Sequence, residues 1–267
     1  MSSAAPHPLQ SRTPGVVLGA LIGAAIVGAL VAVLLLAGVL RSGAVSQAGR
    51  TEGPGHSTPE DAVAAYMEGL AQADLEVMLE PFAFDSREER IDREAMIRNL
   101  KVYPPAGWLP DGEEPFGASV NAEALRGLAV SGIRSQVLAV LHPDLDQSRL
   151  IPIEDDADLA EVIDTHSIDE QKLAAAGKYT LVDPEDLVEP ERWDRLRETD
   201  EEYRTTVSHE DELRYLVAET SIDGRTWQLI FVTARYDDRW YLNELGGRLA
   251  ILLDRGIPYG SGALLVK

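Results

Sequence analysis

The sequence predicts an α+β domain carried behind a single membrane-spanning helix. Three observations predict this: an uncharged apolar run from Val16 to Leu40, helical apolar spacing that begins at Thr58, and strand alternation around Trp227–Leu242. The chain has 267 residues, of which 45% are hydrophobic and 6% aromatic, enough to build one ordinary core. It has no cysteine, which excludes disulfides, thiolate metal sites, a Cys nucleophile and a lipid-modified cysteine. With 45 Asp and Glu against 24 Lys and Arg, the net charge is −21. Such a field repels phosphate, so no nucleic acid partner is expected. Lys is confined to Lys101, Lys172, Lys178 and Lys267 while Arg is common, a bias typical of GC-rich genomes.

The elements follow in chain order. Val16 to Leu40 carries no charged or strongly polar side chain. A hydrocarbon core needs about 20 helical residues, so the run spans a bilayer with room for tilt. It is longer than a signal-peptide core, and Arg41 closes it, which favours an uncleaved anchor. Flanking positive charge is nearly balanced, with Arg12 before the span and Arg41 and Arg50 after it. A short tail before the span and a long domain after it favour a cytoplasmic N-terminus. Gly15, Gly19 and Gly23 form overlapping GxxxG units, a geometry that would let two such helices pair as a homodimer. Residues 41–58 are rich in Gly, Ser and Pro and lack periodicity, so they read as a flexible linker with His56 in solvent.

Thr58-Pro59-Glu60-Asp61 is a helix start, and Val63, Tyr66, Met67 and Leu70 then repeat at helical spacing. Ala73-Asp74 suggests a break, with Leu75, Met78 and Leu79 continuing beyond it. Arg87 to Leu100 fits a second helix with Ile91, Met96, Ile97 and Leu100 inward, stopped before Pro104-Pro105. At the far end, Tyr215–Glu219 reads as a short strand. Trp227, Leu229, Phe231 and Thr233 alternate with Gln228, Ile230, Val232 and Ala234 at strand period, and Arg239–Leu242 begins another strand beyond the Asp237-Asp238 turn.

Two stretches carry a family resemblance. TPEDAVAAYMEGLAQADLEVMLEPF, from Thr58, resembles the opening helix of NTF2-like domains. WQLIFVTARYDDRWYLNEL, from Trp227, resembles the closing hairpin of that superfamily with its Asp-x-x-Trp-Tyr step. The resemblance implies an NTF2-like cone, a curved antiparallel sheet packed on helices, in a single-pass bacterial membrane protein of actinobacterial type. The predicted divisions are a tail over 1–15, a transmembrane helix over 16–40 and the linker over 41–58. The domain then occupies 59–255, with a large acidic insertion at about 104–212, and a C-terminal tail occupies 256–267.

Catalytic signatures are missing. No GxSxG elbow, phosphate-binding Walker loop or HExxH helix occurs. Asp144-Leu145-Asp146 starts like a calcium loop, but Arg149 stands where the sharp turn needs Gly. The five His residues have no helical metal spacing, so neither metal nor cofactor is expected. The residues singled out are aromatic: Tyr66, Trp227, Phe231, Trp240 and Tyr241 as core or pocket wall, and Trp108 as a loop contact for a partner. The expected function is a non-enzymatic, membrane-anchored scaffold or accessory protein. It would sit at the cell membrane with its domain outside the cytoplasm, its partners the lipid bilayer and an envelope protein. A small-molecule or lipid-binding cone is the alternative, and an isomerase- or hydratase-like enzyme the third.

Overall fold

Thr58 opens the first helix as its place before Pro59 predicts. Its hydroxyl accepts from the Asp61 N–H at 3.1 Å, and α1 runs over Pro59–Gln72. Val63, Tyr66, Met67 and Leu70 are fully buried, so the helical spacing delivers one continuous apolar face. Ala73 ends α1 in the left-handed conformation. Asp74 then caps α2 (Leu75–Leu79), accepting from the N–H groups of Glu76 and Val77. The computed structural model describes residues 52–100, 114–144, 167–253 and 261–266. The predicted span 16–40, with Gly15, Gly19 and Gly23, and the loop residue Trp108 lie outside them.

The helix predicted over Arg87–Leu100 is two helices, α3 (Asp85–Arg90) and α4 (Arg93–Leu100). Ile91 is extended, and Asp92 restarts the helix by accepting from the Ala95 N–H at 2.8 Å. The restart rotates the apolar pattern, and Ile97 faces solvent rather than the core. Next comes α5 (Pro115–Leu141), the one described helix long and apolar enough to cross a membrane, with a mean hydropathy of 1.3. It packs on the sheet instead, burying Ala122, Ile133, Ala139 and Val140. Polar pins fix it there: Asn121 Nδ2 donates to the buried Glu88 carboxylate at 2.8 Å, and Arg126 holds both oxygens of Glu76.

The remaining elements are α6 (Glu170–Leu173), β1 (Tyr179–Val182), α7 (Pro190–Tyr203), β2 (Glu212–Ile222), β3 (Arg225–Tyr236), β4 (Arg239–Leu245), α8 (Gly247–Leu253) and β5 (Ala263–Leu265). A π-helical turn, Arg204–Ser208, links α7 towards β2. The sheet is antiparallel in the order β1-β2-β3-β4, and β5 pairs with β3 in line with β4. A mixed α+β fold with an antiparallel sheet is therefore present.

Alternation divides the sheet into two faces. The first carries Leu216, Ala218 and Ile222 of β2 with Trp227, Leu229 and Phe231 of β3, and α1 and α5 cover it. The second carries Tyr215, Val217, Ile230 and Val232 under Trp193 and Leu196 of α7 and Leu249 of α8. Between β3 and β4 the register slips. Val232 pairs with Glu244 while Thr233 pairs with Leu242, leaving Asn243 as an extra residue. Such a bulge bends the strand and inverts the alternation beyond it.

Two sequence expectations need correction. The linker predicted to end at residue 58 is already docked from Glu52 onward. His56 exchanges backbone hydrogen bonds with Trp240 at 2.8 and 2.9 Å, and the Glu52 carboxylate accepts from Ser86. The free edge of β4 offers unpaired backbone groups, and the passing chain takes them, which half-buries His56. The predicted tail over 256–267 contains β5, whose Ala263 and Leu264 are buried. Its alternation is too short to register as a strand in the sequence. Where it is described, the predicted insertion over 104–212 supplies α5, β1 and α7, which cover or extend the sheet.

Candidate functional site: a charged cleft on the second face

The bulge at Asn243 builds the site. Strict alternation from Leu242 would place Glu244 in the apolar layer under α1. The extra residue turns it to the second face, opposite Val232 and near Tyr215. Freed from the ladder, the Asn243 carbonyl accepts from Arg87 Nη1 at 2.9 Å, and its amide oxygen accepts from the Tyr236 hydroxyl at 3.2 Å. Arg87 thus comes from α3 to stand at the same cleft.

Gly246 and Gly247 then turn the chain into α8, both with positive φ. A Cβ on Gly247 would lie 2.4 Å from Val232 Cγ2 and 2.9 Å from Glu244 Oε1. No side chain fits there, so only the bare backbone of glycine lets Val232 and Glu244 approach this closely.

The cleft has a volume of about 640 Å³. Its charged lining is Arg87, Asp200, Glu210, Glu244 and Arg248, with Tyr203, Ser208 and Tyr215 between them. From α7, Asp200 accepts from the Tyr215 hydroxyl at 2.8 Å and from Arg248 Nη1 at 2.8 Å. The Arg248 guanidinium lies 5.5 Å above the Tyr203 ring, a cation–π arrangement. The π-helical turn and the left-handed His209 bring Ser208 and Glu210 inward, with 4% and 1% exposure. Both keep an unsatisfied atom among the described residues, Ser208 Oγ and Glu210 Oε2.

Enclosure tunes these groups. Desolvation raises the Glu244 carboxyl above its ordinary 4.5, and Arg87 opposes the shift. The Glu244 side chain nonetheless remains exposed to water at the cleft. Desolvation also raises the Asp200 carboxyl, while the Tyr215 hydroxyl and Arg248 pull it down. The Tyr215 phenol is held protonated, by burial first and by Asp200 beside it. Two carboxyls with raised pKa values can take up or accept protons nearer neutrality than free ones, and the guanidiniums can hold an anion or balance neighbouring acids.

A second groove, about 1010 Å³, opens on the other side of α7 and shares Asp200 and Tyr215. It is a shallow channel of exposed side chains such as Glu185, Arg197 and Glu198.

The residues singled out from the sequence stand elsewhere. Tyr66, Trp227 and Phe231 share the first face. The Tyr66 and Phe231 rings meet edge-on at 5.2 Å, and the Tyr66 hydroxyl donates to Gln136 Oε1 at 2.6 Å. Gln136 in turn donates to the Ser261 carbonyl at 2.9 Å, so the space before Phe231 is filled by α5 and the approach to β5. Trp240 lies at the far end of that face under the Arg214 guanidinium, 5.3 Å away. Tyr241 lies on the second face against Tyr236, 6.2 Å between ring centroids. None of the five lines the cleft. The cleft residues were missed because charged side chains at irregular spacing read as solvated surface. The one available signal was the Gly246-Gly247 pair directly after a strand. Among the described residues, no group of three or more His, Asp or Glu is arranged to hold a metal ion.

No protein-family model matches the chain, and no curated protein matches it. Among solved structures, a cystatin-like protein from Ruminococcus gnavus ATCC 29149 is similar over 79% of this chain, with 13% identity and a TM-score of 0.44. The chain spans 45% of that protein's own chain.

Proposed function

We propose that the chain is a membrane-anchored binding module whose NTF2-like domain takes a small polar molecule into the charged cleft of its second sheet face. The observation that carries this is the convergence of Glu244, Asp200, Glu210, Arg87 and Arg248, from separate elements, on one cleft of about 640 Å³. Binding sites characteristically combine a concave volume of this size with a few convergent polar groups. The face before Tyr66 and Phe231 is packed solid, which argues against a lipid in the cone interior. In this proposal residues 16–40 form a signal anchor with the N-terminus inside, and the domain works outside the cytoplasm. A reporter active only outside the cytoplasm, fused after Lys267, should be active; an inactive, well-expressed fusion overturns the orientation.

The binding test is a fragment screen by saturation-transfer NMR on the full-length chain. Hits should be lost in Glu244→Gln and Arg248→Ala variants that melt no lower than the parent. Hits that survive both variants, or a screen without hits, overturn the binding module.

A scaffold is the second reading, favoured by the outer side of α5. Phe116 and Leu128 are 79% and 70% exposed there, apolar surface that a partner protein could cover. Crosslinking from Phe116 to an envelope protein, alongside an empty cleft, would favour it.

A further inference from the structure

We infer that the ligand of this cleft is a small organic cation, a primary ammonium on an apolar body, seated on Glu210 and Ser208. The inference rests on the binding proposal above and adds the ligand's chemistry. It starts from charge: three carboxylates, Asp200, Glu210 and Glu244, face two guanidiniums, Arg87 and Arg248. Arg248 is committed to Asp200 at 2.8 Å, and Arg87 binds the Asn243 carbonyl at 2.9 Å. Arg204 meets Glu210 only at its carbonyl, at 2.7 Å, and holds both oxygens of Glu201, so one negative charge is left without a counterion in the lining, and a monocation supplies it.

Hydrogen bonding says where the cation sits. Glu210 is 1% exposed, yet its Oε2 has no partner among the described residues, and the same holds for Ser208 Oγ. A buried carboxylate oxygen without a donor is costly, and native proteins rarely leave one. Both residues line the cleft.

Geometry narrows the donor. A metal ion needs several acidic ligands at one point, and these carboxylates are not so gathered. A guanidinium prefers both oxygens of one carboxylate in a planar fork. The free acceptors here are one carboxylate oxygen and one hydroxyl from residues two apart. The three rotatable donors of an ammonium suit such separated acceptors. Ile91, Val232, Leu245 and Ile251 complete the lining with apolar surface, against which an alkyl body can lie.

Isothermal titration of the full-length chain tests this, with hexylammonium as probe and hexanol, hexanoate and calcium chloride as comparisons. Hexylammonium should bind at one site, at least tenfold more tightly than hexanol. Glu210→Gln should weaken it at least tenfold and Ser208→Ala by a few-fold, each variant melting no lower than the parent. Equal binding of hexanol, tighter binding of hexanoate or calcium, or unchanged affinity in Glu210→Gln overturns the ammonium assignment. Silence from every probe overturns it too, while the binding module itself stands or falls on the fragment screen.

Discussion

The two faces of one sheet are built on opposite principles. The first is apolar and closed: α1 and α5 lay Tyr66, Met67, Leu70 and Ile133 onto Trp227, Leu229 and Phe231, and its central polar pair is satisfied internally. The second begins the same way, with Trp193 and Leu249 on Ile230 and Val232, and then opens into a cleft crowded with charge. The contrast teaches which face holds the domain together and which one carries strain. Buried polar groups that are paired add stability, and unpaired ones remove it. The first face is stabilised by its apolar contents and leaves one buried donor, Trp227 Nε1, unpaired among the described residues, whereas the second gathers charge and leaves Ser208 Oγ and Glu210 Oε2 unpaired.

Substitutions can break or sharpen that contrast. The largest effect is expected from emptying the first face. Phe231→Ala should cost about 3–5 kcal/mol in chemical denaturation, as large-to-small changes in closed cores do. A loss below about 1 kcal/mol would mean that this face is not the closed core. Tyr66→Phe should cost less, about 1–3 kcal/mol, because it strands the buried Gln136 oxygen without its donor. A loss in the Tyr66→Phe, Gln136→Leu double variant smaller than the sum of the two single losses would confirm that the two residues act as a pair.

On the second face the sign reverses. The Glu244 carboxyl is raised in the folded chain, chiefly by desolvation, so its contribution to stability is fully present below the unfolded value near 4.5 and is lost as pH rises through the folded value. Glu244→Gln should therefore melt higher than the parent at pH 7.5, and the two should converge at pH 4. A variant that melts lower at pH 7.5 would remove the charge strain claimed for this face. The smallest effect is expected at His56, whose imidazole is lowered below 6.5, first by desolvation. Its contribution is present above pH 6.5 and fades as pH falls through the lowered value. Replacing it by Gln should slightly flatten stability against pH between 7 and 5, read from melting temperatures.

The sequence made the first face legible and the second almost invisible, for a physical reason. Burial of Val63, Tyr66, Met67 and Leu70 leaves a period of 3.6, and Trp227, Leu229 and Phe231 leave a period of two. Both periods survive because nothing interrupts the elements. The second face depends on interruptions: the bulge at Asn243, the π-helical turn before His209, and the positive φ of Gly247. Each shifts the direction of the following side chain by an amount that no period records. Glu244 is the plainest example, since its parity in the sequence assigns it to the wrong face. Ile97 went astray for the same reason, because the Asp92 restart rotates α4. The docked strap and β5 were unreadable because their pairing comes from a distant edge rather than from their own composition.

The docked strap also bears on how molecules of this chain meet one another. Residues 52–58 pair His56 with Trp240 and lay the Pro54 carbonyl against Arg239, 3.1 Å from its Nε. They cover the edge of β4 at Trp240, next to Leu242, whose N–H and C=O are already taken by Pro81 and Ala83, and so deny that stretch to any strand drifting past. A version of the chain trimmed to begin at Ser57 would keep every helix of the domain and lose that cover. It would then present a sticky margin, and its solubility would fall with concentration although its core was intact.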